Sequence, residues 1–102
     1  MLHVADYYAD ETQITYLREL GETSATIGNH AGIIDTSELL AVHPQGVDLS
    51  RLAALPINSE PAGYSGDPKR ASAAYGAALL DIRISAAVRQ IRTTLLDQKV
   101  SN

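Results

Sequence analysis

The sequence predicts one small, helix-rich domain over residues 1–102, with a single short strand at its N-terminus followed by three helices. Three observations lead to this. The chain has 102 residues, enough for one modest core. Apolar residues recur at helical spacing in three stretches, and Gly and Pro collect in one central segment. Because Phe and Trp are missing, bulky apolar side chains are few, and we expect the chain to need association for stability.

The N-terminal part predicts the strand and the first helix. Residues 2–8 (LHVADYY) mix apolar and β-prone types, which suits a short strand. The acids at positions 10 and 11 favour a helix start, and Gly21 favours its end. Together with the apolar spacing these signals predict a helix over residues 11–20. The small polar residues of 22–28 (ETSATIG) predict a loop.

The middle of the chain predicts a second helix and then irregular structure. Residues 33–42 carry apolar faces with Asp35 in the first turn, and Pro44 limits the helix. Residues 45–67 hold two prolines and three glycines and predict an irregular segment. We expect three leucines to hold that segment against the core: Leu49, Leu52 and Leu55.

The C-terminal third predicts one long helix over residues 68–98. Asp67-Pro68 is a favourable opening, with a capping side chain before a proline at the first helical position. The helix carries two adjoining apolar stripes. One stripe comprises Leu80, Ile84, Val88, Ile91 and Leu95. The other comprises Tyr75, Leu79, Ile82 and Ala86.

Composition and charge exclude several classes of protein. With no Cys there is neither a disulfide framework nor a thiolate metal site. No apolar run reaches the roughly 20 residues that cross a bilayer, so we expect a cytoplasmic protein without membrane contact. Residues 1–38 carry seven acids against one arginine, and residues 67–99 carry six basic residues against three acids. Because acids interrupt the basic residues and no aromatic follows Tyr75, we expect no nucleic-acid partner.

Two short motifs bear on chemistry. Residues 63–67 (GYSGD) approach a nucleophile elbow but end in Asp67, where that motif requires Gly. Residues 28–32 (GNHAG) place His30 directly before a helix, on a loop with two glycines. A histidine there can exchange a proton near neutral pH, close to the helix amides that hold anions. A plain histidine at a helix entry remains the alternative from the residues alone.

The residues around His30 are similar to a known family. Residues 30–37 (HAGIIDTS), the apolar run that follows, Pro44 and Val47 resemble an element of the creatininase (creatinine amidohydrolase) family. A second block, which contains Gly66-Asp67-Pro68, Ala71-Ser72 and Gly76, resembles the start of the terminal helix of that family. The resemblance covers nearly the whole chain and corresponds to the C-terminal segment of the family.

The resemblance implies a fold and an activity. Family members have a parallel sheet between helices, are often hexameric, and use two metal ions, usually zinc or manganese, to activate water against a small linear or cyclic amide. The resemblance assigns proton transfer to His30. It places Asn29 where many members have an acid, and Asp35 at the position of a glutamate, with supporting roles. On this basis the chain is an α/β remnant that keeps the covering helices and loses most of the sheet.

The departures from the family shape the functional hypothesis. The metal ligands of the family lie upstream of this segment, and their motifs do not occur here. We therefore expect no cofactor and no autonomous catalysis, and a homo-oligomer or a partner chain that covers the exposed helix faces. One alternative is a subunit of a metal-dependent amidohydrolase, with zinc or manganese ligands supplied by another chain. Another is a helical binding module whose likeness to the family is coincidental.

Overall fold

The computed structural model describes residues 1–52 and 59–101, and these residues fold into helices and 3-10 turns. The α-helices are α1 (Asp10–Glu19), α2 (Ser24–Ile27), α3 (Ile33–Val42) and α4 (Ala73–Ser101). The 3-10 turns are Ala5–Tyr8, Pro44–Gly46, Leu49–Leu52, Glu60–Ala62 and Pro68–Arg70. The helices α1 and α3 lie within one residue of the predicted ranges 11–20 and 33–42.

The predicted N-terminal strand, and with it the α/β class, is wrong. None of the described residues is in a strand, and Ala5–Tyr8 forms a 3-10 turn. The physical reason lies in the hydrogen bonds of this segment. The Gln90 side chain accepts from the backbone N–H of Asp6 at 2.8 Å and donates to the His3 carbonyl at 3.2 Å. One polar side chain of α4 thus satisfies backbone groups that a strand would have paired with a neighbouring strand.

The start of the third predicted helix also needs correction. Pro68–Arg70 is a 3-10 turn, Ala71 is extended, and α4 begins at Ala73. The helix is capped by Ser72, whose Oγ accepts from the backbone N–H of Tyr75 at 3.0 Å. Asp67 precedes the 3-10 turn but does not cap it through its side chain within the described residues. At 29 residues, α4 is about 43 Å long.

The loop predicted over residues 22–28 contains a short helix, α2. Thr23 and Thr26 form a reciprocal capping box, in which each hydroxyl accepts from the backbone N–H of the other residue. The central segment agrees with the expected irregular structure where it is described. Leu49 and Leu52 are half-buried, whereas Leu55 and Pro56 lie outside the described residues.

The core is small and lies where α1, α2 and α3 meet α4. Its buried apolar residues are Leu17, Ile27, Ile33 and Leu79. The helix pair α3–α4 is the most extensive contact, and it is close because Gly76 of α4 lies directly against the Ser37 carbonyl of α3. The overall shape is elongated, with extents of 60 × 26 × 25 Å.

No helix among the described residues is long and apolar enough to cross a lipid bilayer.

Candidate functional site

The loop that carries Asn29 and His30 connects α2 to α3 and has an unusual backbone. Gly28 has a φ of +68° with an extended ψ of −171°, a combination that is nearly restricted to glycine. Ala31 has a φ of +49°, which is uncommon for a residue with a side chain. The loop therefore turns sharply at both ends and presents the two residues between them to solvent, since Asn29 and His30 are both exposed.

A distant segment, residues 64–67, fixes the shape of this loop. The Ser65 Oγ accepts from the backbone N–H of Asn29 at 2.7 Å and of His30 at 3.0 Å. In return, the Ser65 N–H donates to the His30 carbonyl at 2.9 Å, and the Asp67 N–H donates to the Thr26 carbonyl at 2.7 Å. One serine thus holds two consecutive amides of the histidine loop in place.

Glycines allow the two segments to approach so closely. A Cβ on Gly28 would overlap the Ser65 carbonyl, and a Cβ on Gly66 would lie 2.7 Å from the Ile27 carbonyl oxygen. A Cβ on Gly32 would lie 2.7 Å from the Ser65 carbonyl oxygen. Any other residue at these three positions would force the backbones apart.

Asp35 lies in the first turn of α3, and its side chain contacts the end of the loop that precedes this helix. Its Oδ2 accepts from the Ala31 N–H at 3.0 Å, and the neighbouring Thr36 hydroxyl donates to the Ala31 carbonyl at 3.0 Å. These bonds hold Ala31 in its left-handed conformation. Asp35 and His30 therefore lie at the same loop. Within the described residues, no hydrogen bond joins the Asp35 side chain to the His30 imidazole.

Asn29 lines two cavities. One, of about 380 Å³, is lined by Asn29 and His30 together with residues 63–65. The other, of about 160 Å³, includes Asn29 and Asp35 with Asp10 and Arg83 in its lining. The structure therefore places all three predicted site residues on one loop–helix junction. Asn29 shares the larger cavity with His30 and the smaller one with Asp35, and neither of these two cavities is lined by all three.

A buried carboxylate supports the same junction from inside. The Glu22 side chain is 1% exposed and accepts from Arg70 Nε at 2.7 Å, Thr26 Oγ1 at 2.9 Å and the Tyr75 hydroxyl at 3.3 Å. The Arg70 guanidinium holds the pKa of Glu22 below its usual value, with Thr26 and Tyr75 assisting against the opposing effect of burial. Burial, with the nearby Glu22 charge, raises the pKa of Tyr75. Glu22 thereby joins the segment after residue 67 to the α2 side of the histidine loop.

This carboxylate predicts a pH dependence of stability. The pKa of Glu22 lies below 4.5 in the folded state and near 4.5 in the unfolded state, so its contribution is complete above pH 4.5 and is lost as the pH falls through the folded pKa. We expect Glu22→Gln to lower the free energy of unfolding by about 1–3 kcal/mol at neutral pH. In urea titrations the difference from the unaltered chain should shrink below pH 4.5. Glu19→Gln is the control because Glu19 is exposed, and an equal loss there would contradict the assignment.

A second polar cluster joins the N-terminal turn and α1 to the α3–α4 pair. Gln13 is fully buried and donates to the Leu79 carbonyl at 3.0 Å and to Glu38 at 3.3 Å. Arg83 pairs with Glu38 at 2.7 Å and donates to the Tyr8 carbonyl at 3.1 Å. Of these residues, Arg83 also lines the smaller cavity.

The sequence did not identify these supporting residues as part of the site. Ser65 belongs to the motif that fails as a nucleophile elbow, and Gly66, with Gly28 and Gly32 of the histidine loop, was the available signal for a close approach. Gln13 precedes Leu17 by four residues, so it lies on the inward face of α1, where a polar residue needs internal partners. The two charged pairs are Glu22 with Arg70 and Glu38 with Arg83. Their members are separated by 48 and 45 positions along the chain, and no local sequence pattern reveals such pairs.

The sequence model of the creatininase (creatinine amidohydrolase) family matches residues 2–91, which is most of the chain. The chain belongs to the creatininase family. The resemblance predicted from residues 30–47 and 66–76 is therefore confirmed at the level of the family. Searches of curated proteins and of solved structures gave no match.

Membership of the creatininase family raises the question of whether these residues fit a metal centre. No group of three or more His, Cys, Asp or Glu side chains in the described part of the chain is placed to hold a metal ion. The described residues thus do not supply the donor set of the two-metal centre that the resemblance implies. The role of His30 in proton transfer, and the supporting roles of Asn29 and Asp35, stay predictions.

Proposed function

We propose that this creatininase-family chain is an assembly subunit, which associates with another protein chain through the outward face of α4 and does not hydrolyse amides alone. We propose that it acts in the cytoplasm, which its cysteine-free sequence favours.

The observation that carries the proposal is a row of uncovered apolar side chains on α4. We call it the outer row and define it as Ile84, Val88, Ile91 and Leu95. Three of the four are exposed, and Leu96 beside them is exposed as well. Burying one such side chain fully is worth roughly 1.5–3 kcal/mol, so a row of four on one helix favours association over solvation.

The chemistry of the site supports the proposal that the chain does not hydrolyse amides alone. A positioned histidine contributes about 10²–10⁴-fold by general acid–base catalysis, whereas enzymes accelerate reactions by at least about 10⁶-fold. In the metal-dependent mechanism that the family implies, a metal-bound hydroxide supplies much of the difference. The described residues do not bring together the side chains for such a centre, so His30 alone falls short of amide hydrolysis.

The second candidate function is a composite amidohydrolase, and the histidine loop favours it. Ser65 and the three close-packed glycines hold the loop in one shape, and His30 remains exposed in a cavity of about 380 Å³. In that case another chain would supply the ligands for zinc or manganese. His30 would donate the proton, with Asn29 and Asp35 in support, and the substrate would be a small linear or cyclic amide.

Light scattering and an amidase assay on the chain alone test the first candidate. We expect light scattering on the purified chain to give the mass of a dimer or larger assembly at micromolar concentration. We also expect no turnover of small linear or cyclic amides by the chain alone, with or without added Zn²⁺ or Mn²⁺. A monomer up to millimolar concentration would overturn the assembly function, and turnover by the chain alone would overturn the lack of autonomous catalysis.

A further inference from the structure

The outer row lies on a largely solvent-exposed side of α4. At 100° per residue its four members fall within a sector of about 60°. Ile84, Val88 and Leu95 are 56%, 37% and 51% exposed, and Ile91 is half-buried at the edge of the sector. The residues that face α3, Gly76 and Leu79, lie on a different side of the helix and are buried. The row is therefore separate from the core of the chain.

The spacing of the outer row is that of a helix-pairing seam. Its members follow one another at intervals of four, three and four residues, as the a and d positions of a heptad repeat do. Leu80, the first residue of the predicted stripe, lies outside the 60° sector, and the pattern of the remaining four is the same when read in either direction. Two copies of α4 that run antiparallel can therefore match every member of the row, as a two-fold interface requires, because each contact then occurs twice.

The charge distribution favours the antiparallel arrangement over the parallel one. Residues 1–38 carry seven acids against one arginine, so a parallel pair would set two strongly acidic bodies side by side. An antiparallel pair separates these bodies. It also sets the half of α4 that follows the axis, where the described charged side chains are Arg92 and Asp97, beside the half of the other α4 that joins its acidic body.

From these observations we infer that a second copy of this chain covers the outer row, packed antiparallel about a two-fold axis between Val88 and Ile91. In this dimer Ile84 lies opposite Leu95 of the partner subunit, and Val88 lies opposite Ile91 of the partner subunit. The inference rests on the proposed assembly function and names the occupant of its surface.

Single-cysteine variants test the arrangement directly, because the chain has no cysteine of its own. Ile84→Cys protein, labelled with ¹⁵N, is mixed with unlabelled Leu95→Cys protein, oxidised under mild conditions and analysed by mass spectrometry. We expect the mixed 84–95 disulfide and little 84–84 disulfide. In the antiparallel dimer the two copies of position 84 are about 16 Å apart along the axis, beyond the roughly 7 Å that a disulfide spans between Cα atoms.

Each outcome has one meaning. A mixed disulfide between positions 84 and 95 supports the inference. A dimer that forms the 84–84 disulfide instead, or neither disulfide, overturns the antiparallel seam and leaves the assembly function standing. A chain that stays monomeric overturns both.

A charge placed in the seam provides a second test. Val88→Lys is expected to weaken dimerisation roughly 30-fold or more, as the loss of a central interface residue does. Thr93→Lys is the matched control, because Thr93 is exposed on the opposite side of the helix. Circular dichroism checks that both variants keep their helices. Equal dimerisation of the two variants would overturn the seam.

Discussion

Replacing Gly76 with alanine is expected to lower the free energy of unfolding by about 3 kcal/mol. A Cβ at this position would overlap the Ser37 carbonyl and would lie 2.9 Å from the Cβ of Ala41. Both contacts belong to α3, so the two helices must move apart, and the buried Leu79 loses packing. The helix propensity of alanine returns only about 1 kcal/mol relative to glycine. The packing loss therefore decides the sign, and urea denaturation measures it.

A neighbouring substitution on the same helix is the control for Gly76→Ala. Ala74 is exposed and lies outside the sector of the outer row, so Ala74→Leu adds a larger side chain on the solvent side of α4. We expect that variant to unfold within about 0.5 kcal/mol of the unaltered chain, as surface substitutions usually do. If Gly76→Ala were as stable as this control, the close contact of α3 and α4 would be wrong.

Replacing Gly28 with alanine is expected to cost about 3 kcal/mol and to detach the histidine loop from residues 64–67. Two effects add at this position. The combination of φ +68° with ψ −171° disfavours a side chain by roughly 1–3 kcal/mol, and a Cβ would also overlap the Ser65 carbonyl. Urea denaturation measures the loss. Faster amide hydrogen exchange at Asn29 and His30 would report that their bonds to Ser65 Oγ are broken.

Gly63→Ala separates these two effects. Gly63 has a φ of +90°, but a Cβ there would meet nothing within 4 Å. That variant bears the backbone strain alone, so we expect a loss of about 1 kcal/mol and unchanged exchange at the histidine loop. Equal losses at Gly28 and Gly63 would mean that the close approach of the two segments contributes nothing to stability.

The sequence predicted what depends on local periodicity. The ranges of α1 and α3 follow from apolar spacing and from residues that end helices, such as Gly21 and Pro44, and these signals act over a few residues. The N-terminal strand failed for the opposite reason. Its residues favour a strand by type, but the Gln90 side chain, more than 80 positions away, takes their backbone hydrogen bonds.

The candidate site shows the same division. His30 could be identified from its loop and from the family resemblance, because both lie within a short stretch of sequence. The contribution of Ser65 could not be predicted, because Ser65 is separated from His30 and Asn29 by 35 and 36 positions along the chain. The non-helical residues between the 3-10 turn and α4 were missed because Asp67-Pro68 is a favourable helix opening by itself. Only the hydrogen bond from the Tyr75 N–H to Ser72 Oγ shows where α4 begins.

The contact between Ser65 and the histidine loop also orders the events of folding. Helices such as α1 and α3 form from neighbouring residues, whereas the loop acquires its final shape only after the chain closes an excursion of some 35 residues. That closure is held by a few hydrogen bonds at exposed positions, which are the first to open in a native protein. The bonds around His30 can thus open and re-form while the more extensive contact of α3 with α4 stays in place.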